Sequence, residues 1–132
     1  MTRERKETGA LGERVVAEYL RRRGFTIIAH NVARKTGELD LVAKERVSGV
    51  GEVLHFVEVK TIMCENFPSD DPSDEYDPSL NLHEAKIRKV ARTGEWYVMQ
   101  KRWEGEWQVD GALVWLRRHD GRARVRYLPQ IV

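Results

Sequence analysis

Apolar residues recur at helical spacing near the start of the chain, where Leu11, Val15, Val16, Tyr19 and Leu20 fall on one stripe. The spacing predicts a helix from Glu7 to Arg23. Thr8 is a candidate N-cap, Gly24 a natural terminator, and Arg21, Arg22 and Arg23 suit the negative end of the helix dipole. The period then changes to two. Phe25 to Asn31 reads as a short strand, with Phe25, Ile27 and Ala29 on one side and Thr26, Ile28 and His30 on the other. Arg34-Lys35-Thr36-Gly37 is a turn. Glu38 to Ala43 resumes as a strand, with Glu38 and Asp40 sharing a face opposite Leu39 and Leu41. After the turn residues Ser48-Gly49-Val50-Gly51, Leu54 to Lys60 is expected to return antiparallel beside Glu38 to Lys44. A register that sets Asp40 opposite Glu58 fits this loop, whereas a slip of one residue puts the two on opposite faces.

The pattern breaks from Thr61 to Leu82. This stretch holds Glu65, Asp70, Asp71, Asp74, Glu75 and Asp77 with Pro68, Pro72 and Pro78, and no Lys or Arg. It reads as a long, mobile acidic loop over 61–82, without the ligand spacing of a calcium hand. Asn81 or His83 opens a second helix that runs to about Gln100. Ile87, Val90, Ala91, Trp96, Tyr97 and Val98 suit it to cover a sheet, while Lys86, Arg88, Lys89 and Arg92 make its other side basic. Trp107 to Leu116 is a strong strand and His119-Asp120-Gly121 a hairpin turn. Arg122 to Leu128 returns, with Arg122, Arg124 and Arg126 on one face and Ala123, Val125 and Tyr127 on the other. The order is α-β-β-β-α-β-β, which implies a mixed sheet of the α/β or α+β class.

Length and charge narrow this picture. A chain of 132 residues with 33 % charged side chains suits one soluble domain over 1–132. No apolar run approaches the length of a membrane span, and none behind Met1 to Glu7 resembles a secretion signal, so a cytoplasmic protein without a membrane partner is expected. Cys64 is the single cysteine, which excludes an internal disulfide and a multi-thiolate zinc site. His30, His55, His83 and His119 lack ligand-like spacing. The net charge of +2 says little about partners.

The chemistry gathers around Phe56-Val57-Glu58-Val59-Lys60, a strand-forming run that carries two charges. Glu58 and Lys60 are two apart, so on a strand they point the same way. One reading is a partly buried ion pair. The other is a cation site, with Glu58 as an oxygen ligand and Lys60 over an attacking water. Glu13 lies at the flank of the first helical stripe, a place that suits either a solvated rim residue or one leaning toward a site. Phosphodiester hydrolysis explains such a set. Asp40 and Glu58 supply oxygens for Mg²⁺ or Mn²⁺, Lys60 steadies the water or the charge on the phosphate, and Glu13 completes the shell. Lys86, Lys89 and Arg92, with Arg122, Arg124 and Arg126, are candidate phosphate contacts, with a solvated outer face as the alternative for the arginine row. A sugar-cleaving carboxylate pair leaves Lys60 without a role.

Asp40 followed by Glu58-Val59-Lys60 resembles the PD-(D/E)xK nuclease signature of the restriction-endonuclease-like fold. More closely, the chain resembles the YraN-like bacterial family, itself similar to archaeal Holliday-junction resolvases. The matching positions are Gly12-Glu13 with Ala17 and Leu20, Gly24, Asn31, Gly37 to Ala43, Phe56 to Thr61, Lys86, and Val109-Asp110. The resemblance implies a restriction-endonuclease-like α/β domain, a mixed five-stranded sheet flanked by two main helices. It also implies Glu13, Asp40, Glu58 and Lys60 as the active-site set, a metal held by Asp40, Glu58 and Glu13, branched or junction DNA as partner, and a homodimer. Leu39 stands where the signature has proline, and Ile62 where the family usually has a basic residue. The rival from another class is a nucleic-acid-binding or assembly protein that keeps the fold without cleaving.

Overall fold

The computed structural model describes residues 2–69 and 82–132. Its elements run α1 (Arg3–Arg22), β1 (Thr26–Arg34), β2 (Gly37–Val47), β3 (Gly51–Cys64), α2 (Glu84–Gln100), β4 (Glu106–Arg117) and β5 (Ala123–Leu128). The five strands form one sheet in chain order. Neighbours are antiparallel except β3 and β4, which are parallel. That one parallel pair follows from connectivity, because the crossover between β3 and β4 carries α2. The mixed α/β architecture matches the order read from the sequence.

The first helix begins earlier than its apolar stripe indicates. Its N-cap is Thr2, whose hydroxyl accepts the N–H of Arg5 at 3.2 Å, and Thr8 lies inside the helix. The added turn is polar throughout, with Arg3 and Glu7 paired at 3.0 Å, so periodicity carries no trace of it. Gly24 ends the helix in the left-handed region at φ +91°. Gly12, Val16, Ala17 and Leu20 face the sheet, while Leu11 is 42 % exposed and off the stripe assigned to it. A methyl on Gly12 would meet Thr61 Oγ1 at 1.8 Å, so α1 crosses β3 at a distance that only glycine allows.

The two helices cover opposite faces. On the α1 side, Val16, Ala17 and Leu20 pack with Leu41, Ala43, Val57, Ala112, Val114 and Leu116. On the α2 side, Val90 and Tyr97 pack with Leu39, Val42, Leu54, Phe56 and Val109. Phe56 is fully buried there, edge-on to the rings of Tyr97 and Trp107, a burial that contributes about 2–3 kcal/mol. Strict alternation fails twice. A bulge between Ile27 and Ala29 sends Phe25 and Ile27 to the α1 side and Ala29 to the α2 side, where one shared face was expected. In β2, Leu39 packs on the α2 side and Leu41 on the α1 side, so these two do not share the face assigned to both.

The strands outrun their expected limits. β3 continues through Thr61, Ile62, Met63 and Cys64, paired with Val114 to Arg117 of β4, so the acidic stretch starts only after Cys64. Parallel pairing to a strong central strand overrides the weak local signal of Thr61-Ile62-Met63-Cys64. Of the loop expected over 61–82, residues 70–81 lie outside the described residues. The second helix takes His83 as its N-cap, one of the two expected starts.

Candidate active site

Asp40 arrives on β2 and Glu58 on β3. The antiparallel ladder is paired as far as Leu41 with Val57, one residue short of Asp40 and Glu58. A second tie fixes the pair: Asp40 Oδ2 accepts the backbone N–H of Val59 at 2.8 Å. Both carboxylates are buried, Asp40 at 9 % and Glu58 at 3 % exposure. Two buried carboxylates side by side resist double ionisation. Burial first, and the charge of Glu58 second, push Asp40 up to about 7, against the pull of the Val59 N–H and Lys86.

Lys86 answers part of that negative charge. Its Nζ lies 2.7 Å from Glu58 Oε1. Burial opposes its ammonium, but the hydrogen bond and the charge of Glu58 outweigh it, so Lys86 holds its proton more firmly than a free lysine. Glu58 Oε2 is buried and accepts no hydrogen bond. An orphaned carboxylate oxygen inside a fold is costly unless a cation or donor meets it. Lys60, exposed and two residues beyond Glu58, lines the adjoining cleft together with Leu82, His83, Lys86 and Ile87.

Glu13 comes from α1 and is half-buried. Its carboxyl is raised by burial and then by the charge of Asp40, while a hydrogen bond from Asn31 lowers it. Asn31 adopts the left-handed conformation at φ +51°, between the pairs His30–Leu41 and Val32–Leu39, which aligns it with Asp40 across the strands. Glu38 adds to the negative field felt by Glu13 and Lys86. Glu13, Asp40 and Glu58 nonetheless stop short of a cage: among the described residues, no three His, Cys, Asp or Glu side chains are gathered closely enough to hold an ion. Asp40 and Glu58 are adjacent carboxylates, with Glu13 at the periphery. Two carboxylates would suit a magnesium ion, which commonly takes one or two and completes its shell with water and phosphate oxygens.

The six basic residues assigned to DNA separate. Lys86 points into the carboxylate pair and off the basic outer side of α2. Lys89 and Arg92 are exposed on that helix, and Arg126 is exposed on β5. Arg122 pairs with Asp120 at 3.7 Å. Arg124 donates to the carbonyl of Pro68 at 2.9 Å and lies over the ring of Phe67, which Arg117 also covers. Sequence reasoning missed the inward role of Lys86, although a signal was there: Lys86, Val90 and Tyr97 share the helical face that meets the sheet.

A second polar centre lies on the α1 side. Asp110 is fully buried and accepts from Gln108 Nε2 at 2.7 Å and the N–H of Gln130 at 2.8 Å, with the Tyr127 hydroxyl as a further donor. His55 Nδ1 lies 2.6 Å from Asp110 Oδ2. Burial pushes the Asp110 carboxyl up, but these hydrogen bonds outweigh it and hold it below the usual range. Glu45 Oε1 lies 2.9 Å from His55 Nε2 without hydrogen-bond alignment. This network ties the chain after β5 to the centre of the sheet.

A family model described as "Uncharacterised protein family UPF0102" matches residues 12–120. The chain is 32 % identical over 98 residues to a UPF0102 protein of Desulfosudis oleivorans, covering 74 % of this chain and 69 % of that one. A UPF0102 protein of Campylobacter jejuni is 33 % identical over 102 residues, covering 77 % and 78 %. Another from Syntrophotalea carbinolica is 31 % identical over 131 residues, covering 98 % and 94 %.

Proposed function

We propose that this chain, which belongs to the uncharacterised protein family UPF0102, is a metal-dependent endonuclease that hydrolyses phosphodiester bonds in DNA. The observation that carries the reading is the buried Asp40–Glu58 pair, with one Glu58 oxygen left unpartnered beside the cleft that Lys60 lines. A hard divalent cation fits this donor set of carboxylate oxygens in place of the missing positive charge. When bound, Mg²⁺ or Mn²⁺ would supply a Lewis acid for a phosphate oxygen and a more acidic water. Asp40 and Glu58 would hold it, which requires Asp40 to give up its proton. Lys60, on the same face as Glu58 and open to solvent, orients the nucleophilic water and balances charge building on the phosphate. Glu13, steadied by Asn31, borders the pair and acts through water. Lys89, Arg92 and Arg126 present exposed charge to the DNA backbone.

Branched or junction DNA, a homodimer and a cytoplasmic place of action belong to the same reading; a two-fold enzyme suits a symmetric junction. One observation favours a binding or assembly protein that does not cleave: Lys86 already neutralises Glu58. The deciding experiment incubates the protein with linear, flapped and four-way DNA, with Mg²⁺, with Mn²⁺ and with chelator. Metal-dependent cleavage that Asp40→Asn abolishes supports the enzyme. DNA binding with no product on any substrate under either metal leaves the binding module.

A further inference from the structure

The ion pair between Lys86 and Glu58 joins unequal partners. The Glu58 side chain is 3 % exposed and fixed on a central strand, whereas the Lys86 side chain is 62 % exposed and reaches in from α2. Glu58 cannot follow its partner out. Lys86 can leave by rotating a flexible four-carbon stem that already touches water. The pairing is also incomplete, because Lys86 engages Oε1 while Oε2 stays buried without a partner. A permanent structural bridge would satisfy both oxygens and shield both charges. Lys86 shares its cleft with Lys60, His83, Leu82 and Ile87, so the ammonium sits where the cleft meets the carboxylate pair.

We propose that Lys86 is a built-in competitor for the cation site: its ammonium occupies Glu58 until a divalent cation displaces it, and the displaced ammonium is then free for a DNA phosphate. This rests on the reading of Asp40 and Glu58 as cation ligands. Two consequences follow from the exchange of one charge for another. The site avoids an uncompensated buried carboxylate before the cation arrives. Cation binding and phosphate binding also become coupled, because each favours the outward position of Lys86.

The test is calorimetric titration with Ca²⁺ and no DNA, at pH 8.5. The proteins are the parent, Lys86→Gln, Lys86→Arg and Asp40→Asn, each checked by circular dichroism for the parent's secondary structure. Removing a unit charge that contests the ligand should tighten Ca²⁺ binding by Lys86→Gln about tenfold. Lys86→Arg should bind no tighter than the parent, and Asp40→Asn should lose binding. Lys86→Gln binding Ca²⁺ no better than the parent, while Asp40→Asn still abolishes it, would overturn the competitor role and leave the nuclease reading standing. Absence of Ca²⁺ binding in both the parent and Lys86→Gln would remove both.

Discussion

The carboxylate of Asp40 accepts the backbone N–H of Val59, the residue between Glu58 and Lys60. One hydrogen bond thus locks the strand that brings the first carboxylate to the strand that brings the second carboxylate and the lysine. It also favours the ionised form of Asp40 where burial and Glu58 oppose it. The amide of an asparagine would accept the same hydrogen bond without bearing charge.

Asp40 therefore makes stability fall with rising pH in metal-free buffer. Its folded-state value of about 7 lies above the ordinary carboxylate value, so between them the folded state holds more protons than the unfolded state. Its contribution is complete below about pH 4 and gone once the pH passes about 7. Asp40→Asn should gain on the parent across that window, by up to about 4 kcal/mol, in urea melts from pH 4 to 8. Parallel curves for the two proteins would contradict the shift.

Glu58→Gln and Lys60→Ala should each lower cleavage by at least about 100-fold and leave DNA binding intact. Lys60 is exposed and carries little of the fold, so its loss acts on the chemical step. Single-turnover assays with matched DNA-binding isotherms separate the two effects. A parallel loss of binding and cleavage in Lys60→Ala would assign it to DNA affinity alone.

Lys89→Glu, Arg92→Glu and Arg126→Glu should weaken DNA binding, each lost contact lowering the slope of log K against log salt by about 0.9. Arg124→Glu should behave differently, because Arg124 also grips Pro68 and Phe67. Its loss should expose the segment after Cys64 to protease as well as reduce affinity. Unchanged salt slopes would mark these residues as a solvated face.

Asp110→Ala should destabilise the protein by about 3–5 kcal/mol, since it strands His55, Tyr127, Gln108 and the Gln130 N–H around a buried gap. Asp110→Asn retains the shape and should cost less. Thermal melts distinguish the two, and a small effect of Asp110→Ala would show that water replaces the carboxylate.

Much of this was legible in residue order. The apolar run Leu54 to Lys60 and a short glycine loop sufficed to place β3 antiparallel beside β2, and the two strands are paired from Val47 with Gly51 to Leu41 with Val57. What escaped was non-local. The end of β3 depends on β4, a partner remote in the chain, and Thr61-Ile62-Met63-Cys64 says little by itself. The bulge at Ile28 inverts faces without changing composition. Lys86 looked like one more cation on a basic helix, since its direction is set by how α2 seats on the sheet. Gly12 carried no signal of its closeness to Thr61, which exists only once α1 has docked.

The single parallel pair at the centre of the sheet also orders events in time. β1, β2 and β3 form consecutive hairpins with short connections, whereas Val53 must wait for Glu106 to find it across α2. Local pairings close quickly and distant ones slowly, so the three-stranded meander should form before β4 joins. Asp40 and Glu58 belong to that early half, and Lys86 to the segment that arrives later. The two acids are thus brought together before their counter-ion reaches them. Asp40→Asn removes one of the two early charges, so at neutral pH it should refold faster than the parent, as stopped-flow fluorescence measures. A refolding rate in Asp40→Asn equal to the parent's would show that the charges meet only after the sheet is complete.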